Sequence, residues 1–406
     1  MFTASRAPSL KTVLLASGVV LTLAMGVRHG FGFWMQPLSQ ANGWTRETYS
    51  LALAVQNLMW GVFGPFAGMA ADRFGTMRVV LAGAVSYMLG LIWMALVTEP
   101  TLFIAGSGIF IGFGLACTAF GAVSGIIGRT ASVERRSWAF GISGAASSFG
   151  QFMMMPIEQF LISSLGWQNA FYLLAAIIIV AMVPMSFFLR EPPVVTGSGA
   201  QHQSSGEAFR EALRSRSFLL LLSGYFVCGF QVVFIGVHLP VYLKDEGVAD
   251  PKVAVMALAL IGLFNIFGSY YAGKWGGRMP KRYLLSGIYL LRSVAIGLFL
   301  LAPLTAWSVY LFAAAMGFLW LSTVPLTNGI IAGIFGVKHM SMLAGVVFFS
   351  HQIGSFLGVW LGGYLFTLQG SYDVVWGIAI VLGVLAGLAN LPVDERPALR
   401  AGLKPA

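Results

Sequence analysis

Twelve stretches of predominantly apolar residues, each 20 to 29 long and closed off by charged or turn-forming residues, run the length of this chain. A run of that length, wound as an α-helix, matches the hydrocarbon thickness of a bilayer, and a soluble core has no use for so many. Six spans are predicted at residues 12–38, 48–70, 77–97, 102–127, 137–165 and 167–189. Six more follow at 217–243, 253–275, 283–302, 307–335, 341–366 and 372–391. The expected fold class is an all-α membrane protein, because a helix satisfies its own backbone groups where water is absent. Only 9% of the 406 residues are charged, against about 25% in an average soluble domain. The 50 glycines suit helices that must pack closely without a hydrophobic drive between them.

The charges between the spans predict orientation. With the N-terminus inside, 19 of the 24 Lys and Arg fall on the cytoplasmic side, among them Arg6, Lys11, Arg73, Arg78, Arg135, Arg136, Arg282 and Lys338. By the positive-inside rule both termini are expected in the cytoplasm, in a bacterial inner membrane. The basic residues form no stripe with aromatics, so the net charge of +10 is not read as a nucleic-acid surface. Arg6 and Lys11 ahead of an apolar run imitate a signal peptide, yet the run reaches Pro37 and Leu38, so it is taken as an uncleaved first helix. Cys117 and Cys228 fall within spans without metal-like spacing, and neither a metal nor a cofactor is expected. The polar stretch 191–216, with Pro192, Pro193, Gly197 and His202, reads as a cytoplasmic linker ending in an amphipathic stretch at 208–213. The expected division is residues 1–190, a linker at 191–216, and residues 217–406, working as a monomer.

The loop after the second span reads Gly68-Met-Ala-Ala-Asp72-Arg73-Phe-Gly75-Thr-Met-Arg78, and 205 positions later the loop after the eighth reads Gly273-Lys-Trp-Gly-Gly277-Arg278-Met-Pro280-Lys281-Arg282. The same small-residue turn with basic ends, in the same place of each half, marks a duplicated six-helix unit. Here the sequence resembles the major facilitator superfamily, whose loop motif G-x-x-x-D-R-x-G-x-x-R the first copy matches in full. The second copy departs from it at Gly277, where the Asp would stand, and at Pro280, where the Gly would. The resemblance implies two pseudo-symmetric six-helix bundles, with the motif loop latching the halves in one state of the transport cycle. In physical terms Gly68 and Gly75 permit close packing and a tight turn. Asp72 can hold an arginine or meet a helix N-terminus. Two further stretches, Gly26 to Leu38 with Gly43-Trp44-Thr45-Arg46, and Arg135-Arg136 through Gly144 to Pro156, resemble bacterial monocarboxylate porters and the related oxalate and formate exchangers.

Ionisable residues at membrane depth are costly and so are candidates for function. Arg28, past the middle of the first span, offers a forked grip on a carboxylate and is expected to bind substrate. Arg292 in the ninth span is expected to be structural, since the resemblance makes that helix a peripheral support. His351 and Gln352 fall mid-span in the eleventh helix, which lines the cavity in the family, and His351 could also carry a coupled proton. His29 projects about 100° from Arg28 and is assigned to helix packing. Gln56, Asn57, Gln151, Gln231, Asn265 and Asn328 are candidate donors to a substrate carboxylate, with His238 beside them and Tyr225, Trp320 and Tyr364 as candidate walls. Glu158 is the one acid that falls well within a span; it is a second candidate for proton coupling, though an interfacial place is expected for it.

The expected function is secondary transport of a small mono- or dicarboxylate by alternating access, coupled to protons or to exchange, with Arg28 as anchor and His351 as second pole. Efflux of an amphipathic drug or metabolite is the competing reading, to which the 18 methionines and 32 phenylalanines lend an adaptable pocket. A membrane enzyme or sensor is disfavoured, since no catalytic or phosphate-cradling motif occurs. The expected partners are the small anion, the bilayer and protons.

Overall fold

The computed structural model describes residues 8–44, 46–191, 203–248 and 250–397. Arg6, Thr45, His202 and residues 192–201 of the linker lie outside the described residues. Among those described, sixteen α-helices and one short 3-10 turn account for the secondary structure. The first span comprises α1 (Leu10–Gly30), the 3-10 turn (Phe31–Trp34) and α2 (Met35–Asn42). Then come α3 (Arg46–Phe74), α4 (Thr76–Leu96), the pair α5 (Pro100–Thr118) and α6 (Phe120–Thr130), α7 (Val133–Leu165) and α8 (Trp167–Phe187). After the linker helix α9 (Ser205–Arg214) the second half repeats the order. It has α10 (Arg216–Asp245), α11 (Pro251–Gly276), α12 (Lys281–Leu301), the pair α13 (Ala306–Leu319) and α14 (Thr323–Phe335), α15 (Met340–Gln369) and α16 (Asp373–Asn390).

Local chemistry starts many of these helices. Ser9 accepts from Thr12 N at α1, and Asp250 accepts from Lys252 N at α11, each satisfying a backbone donor that the first turn leaves free. Glu99 accepts from Thr101 N and Leu102 N ahead of Pro100, and those two donors hold its carboxyl below the usual range. The linker helix α9 opens with a capping box between Ser204 and Glu207, and the Ser204 N–H holds the Glu207 carboxyl below its usual range as well.

Among the described residues, eleven helical stretches are long and apolar enough to cross a membrane. The remaining one, the fifth span, α7, is 33 residues long but carries Ser143, Ser147, Ser148, Gln151 and Glu158 on a buried face, which lowers its hydropathy. It nevertheless packs along α1 and α11. Three spans read as single helices are interrupted. The first tightens into the 3-10 turn at the Gly30-Phe31-Gly32 junction. The fourth breaks at Ala119, which is extended (φ −77°, ψ 176°). The tenth breaks over Trp320 to Ser322, where Pro325 has no N–H to offer the Leu321 carbonyl four residues back. The fourth and tenth spans hold corresponding places in the two halves.

Buried apolar side chains form two clusters, one drawn almost wholly from α1 to α8 and one from α9 to α16. The halves meet where backbones come close. A Cβ on Gly345 of α15 would stand 2.7 Å from the Gly64 carbonyl oxygen of α3, and one on Gly141 of α7 would stand 2.9 Å from Gly273 Cα of α11. These contacts occupy the half of the molecule nearest the basic helix ends. Along α15 they stop near Gln352, and farther on Phe356, Trp360 and Tyr364 are exposed. The two halves are therefore closed on the basic face and parted on the opposite one.

Candidate functional site

Between the halves is a cavity of about 150 Å³, walled by α1, α3 and the α5–α6 break on one side and by α10, the α13–α14 break and α15 on the other. Arg28 and His29 reach it from the last turn of α1. The Arg28 guanidinium donates through Nη2 to Asn57 Oδ1 and sits over the Trp60 ring, 5.5 Å from its centroid, while Nε has no partner. From α15, Gln352 Nε2 donates to the Asn57 carbonyl at 3.0 Å, so Asn57 ties the two halves at the cavity. His351 stacks on Phe348 (5.4 Å, 12°) and leans on Tyr225, and its Nδ1 is 3.3 Å from both Gln352 Oε1 and Ser355 Oγ. Phe348 in turn meets Trp60 at 4.6 Å. A continuous chain of contacts, Arg28, Trp60, Phe348, His351, Tyr225, thus crosses from one half to the other.

Of the expected site residues, Arg28, Asn57, His351 and Gln352 come together here, with Tyr225 and Trp320 as walls. His29 also lines the cavity, against its assignment to packing alone. Its ring folds back so that Nδ1 is 2.6 Å from the Met25 carbonyl of its own helix, while Arg28 extends toward α3, and both successive residues thereby border the same space. The other amides are not in the lining. Gln231 donates to the Ala379 carbonyl at 2.8 Å and joins α10 to α16. Asn328 donates to Val324 within α14, and Gln56 is buried on α3 with its Nε2 unbonded. Gln151 is buried on α7 opposite Gly262 of α11. Asn265 acts on the site indirectly, since its Oδ1 accepts from Leu321 N at the α13–α14 break. His238 bonds the Val359 carbonyl and meets the Tyr372 hydroxyl away from the cavity, and Tyr364 stacks on Trp360 with half its surface exposed.

Arg292 is wholly buried and forks onto the end of α13. It donates from Nε and Nη2 to the Leu319 carbonyl, at 3.2 and 2.7 Å, and from Nη2 to the Trp320 carbonyl. It supplies donors to carbonyls that the broken helix leaves without partners. Glu158, expected at an interface, is instead fully buried beneath the end of α1, because Gly30 has no side chain to keep α7 away.

On the basic face the motif loop closes the halves. Asp72 accepts from Met342 N (2.9 Å) and Ser341 N (3.4 Å) at the start of α15, and from Arg129 Nη1 at 3.1 Å. Arg129 also donates to Glu191 at 2.6 Å and to the Val337 carbonyl at 3.1 Å. Gly68 lets the α3 backbone rest on Ser341, where any Cβ would overlap the Ser341 carbonyl. Gly75 takes φ +90° in the turn to α4. Arg73 and Arg78 are exposed and take no part in this network. Arg129 and Glu191 were not picked out in the sequence, where each reads as one more charge at a helix end. Trp60 and Phe348 were passed over for the same reason, as aromatics in an aromatic-rich membrane core.

The sequence matches the profile of the Major Facilitator Superfamily over residues 14–358. It is 25% identical to the uncharacterized MFS-type transporter YcxA of Bacillus subtilis, over 95% of both chains. It is 27% identical to monocarboxylate transporter 13 of Bos taurus over 90% of this chain and 85% of that one. It is 24% identical to the probable sulfoacetate transporter SauU of Cupriavidus necator, over 86% and 87%. Among solved structures it superposes on the transporter FucP in the outward conformation with a TM-score of 0.73, at 15% identity, covering 95% of this chain and 99% of that one. It superposes on the proton:xylose symporter XylE with a TM-score of 0.70, at 16% identity, over 93% and 94%. With a family match across most of its length and the two-bundle helical fold, this chain belongs to the Major Facilitator Superfamily of transporters.

Proposed function

We propose that this transporter carries a small organic anion, a mono- or dicarboxylate, bound at Arg28. The observation that carries the reading is a guanidinium in the cavity between the halves whose described lining holds no carboxylate to pair with it. An unpaired cation at such depth attracts an anion, and Nε beside the bonded Nη2 is a donor still without an acceptor. Two half-helices begin beside the same space, α6 at Phe120 and α14 at Thr323, and neither start has a side-chain cap. The positive ends of their dipoles favour negative charge there. The cavity is below the roughly 300–1,000 Å³ of sites for drug-sized ligands, which argues against efflux of a bulky amphipathic compound. The monocarboxylate and sulfoacetate relatives support an anion as cargo. His351 and Gln352 serve as the second pole, brought to Arg28 through Asn57. With the basic face in the cytoplasm, as the positive-inside rule favours, the closed side faces inward and the cavity opens outward.

The test is a thermal-shift series on the purified protein with L-lactate, oxalate, succinate and sulfoacetate. At 100 times its dissociation constant a bound acid adds about 2.7 kcal/mol of apparent stability. We expect one of these acids to raise the melting temperature of the wild type, and Arg28→Ala to lose that shift together with uptake into proteoliposomes. Arg28→Lys retains the charge without the fork and is expected to fall between. Unchanged uptake of all four acids by Arg28→Ala would sink the assignment.

A further inference from the structure

Away from the anion site, α7 buries a carboxyl group that forms no ion pair among the described residues. Glu158 has no exposed surface, its Oε2 accepts from Trp34 Nε1 at 2.9 Å, and its Oε1 has no hydrogen-bond partner. The α1 backbone at Gly30 is pressed so closely on the carboxyl that a Cβ there would overlap it. The titratable groups nearest it are Arg28 and His29 of α1, Tyr49 of α3 and Tyr87 of α4, while Tyr172 of α8 is exposed. Tyr49 spends its hydroxyl on the Phe31 carbonyl (2.7 Å) and Tyr87 on the Ala24 carbonyl (2.9 Å), while His29 turns to Met25. Phe171 of α8, stacked on Trp34 at 3.8 Å, brings no charge. Arg28 stands two residues before Gly30 but points away, to Asn57 and Trp60. A carboxylate so placed is expensive, and the simplest neutralising partner is a proton. A second cavity, of about 560 Å³, lies close by at the face opposite the basic one. Gly32, Phe33 and Gln159, the chain neighbours of Trp34 and Glu158, line it together with Ile162 and Trp167.

We propose that Glu158 is the proton-binding site that couples anion transport to the proton gradient, an inference that rests on the anion site at Arg28. An anion bound at Arg28 brings negative charge to the same end of α1 and makes an ionised Glu158 more costly. Each ligand then favours the other, as two linked sites must. A proton attaches to the Glu158 carboxylate from one side of the membrane and leaves it on the other, and a monoanion crosses with it, so the loaded carrier moves without net charge.

Two measurements test this on the full-length protein. Infrared difference spectra of the purified transporter, with no substrate added, are expected to show a protonated-carboxyl C=O band that titrates in wild type and is missing in Glu158→Gln. In proteoliposomes with an acidic exterior, wild type is expected to accumulate radiolabelled L-lactate. Glu158→Gln is expected to lose that accumulation by at least about tenfold, within the range of ordinary two-site coupling, while still exchanging internal for external L-lactate. Trp34→Phe retains the proton site and is expected to displace the pH of half-maximal accumulation. Equal gradient-driven accumulation in Glu158→Gln and wild type overturns the proposal, as does a band that the substitution leaves unchanged. Should wild type carry no L-lactate in either mode, the infrared result alone decides proton binding at Glu158, and the failure belongs to the choice of anion.

Discussion

The Arg292 side chain has no exposed surface, and its fork is spent on the Leu319 and Trp320 carbonyls. The Arg28 side chain reaches the cavity and has one amide oxygen and one ring face for company. The chemistry of the two residues is the same, and their surroundings separate a structural clamp from the anchor proposed for the anion. Removing the clamp leaves buried carbonyls without donors, at about 1–3 kcal/mol. Arg292→Met is therefore expected to lower the melting temperature even without substrate, and Arg292→Lys, which cannot fork, to recover part of the loss. Arg28→Ala is expected to leave the substrate-free melting temperature nearly unchanged. Thermal melts in detergent without anion check the contrast; equal losses in both variants would remove the distinction drawn between them.

Among the helical elements, the breaks in the fourth and tenth spans border the cavity from opposite halves. Ala119 and Phe120 face it from one half, and Trp320, Leu321 and Val324 from the other. The α13–α14 break is held from three directions, by Arg292 on the carbonyls, by Asn265 accepting from Leu321 N, and by Pro325 withholding a donor. Pro325→Ala restores the missing N–H and relieves a proline near the helix start. Stability is expected to change by less than about 1 kcal/mol, because Pro in a first turn costs little, while transport falls as Trp320 is drawn into a continuous helix. Uptake rate beside melting temperature is the readout, and unaltered uptake with unaltered stability would mean that the proline does not set the break. These breaks also mark where the sequence was hard to read. Apolar run length places the spans, since lipid demands it, and basic loops make them countable. A change from one helix to two inside an apolar run alters no run length, and only Pro325 hints at it. Likewise Arg28 and His351 stand out because charge in a span is rare, whereas Gln231 and Asn265 differ in role only through which backbone group lies opposite, which sequence does not carry.

At the scale of the whole molecule, the two halves are held shut on one face by a small set of polar bonds laid over close backbone contact. Asp72 takes two backbone N–H groups from the start of α15, where the helix dipole adds to the attraction, and Arg129 joins Asp72 to Glu191 and to the Val337 carbonyl. Asp72 is on α3 and Arg129 on α6, whereas Val337, Ser341 and Met342 belong to the second half, so opening this face must break the bonds between them. Hydrogen bonds to charged groups contribute about 1.5–3 kcal/mol each, and every 1.4 kcal/mol is a tenfold change in a two-state ratio. Loss of the Asp72 carboxylate is thus expected to move the closed-to-open ratio of the basic face by roughly ten- to a hundredfold. Ser147 borders the cavity and offers a reporter: Ser147→Cys on a Cys117→Ala, Cys228→Ala background. An impermeant maleimide added from the basic face should label it slowly with Asp72 intact and markedly faster after Asp72→Asn or Arg129→Met. Because both substitutions disrupt one network, the double variant should label little faster than either single one. Independent, multiplying effects would mean that Asp72 and Arg129 close the face separately. Equal labelling in all forms would leave closure to the glycine contacts at Gly64, Gly68 and Gly141.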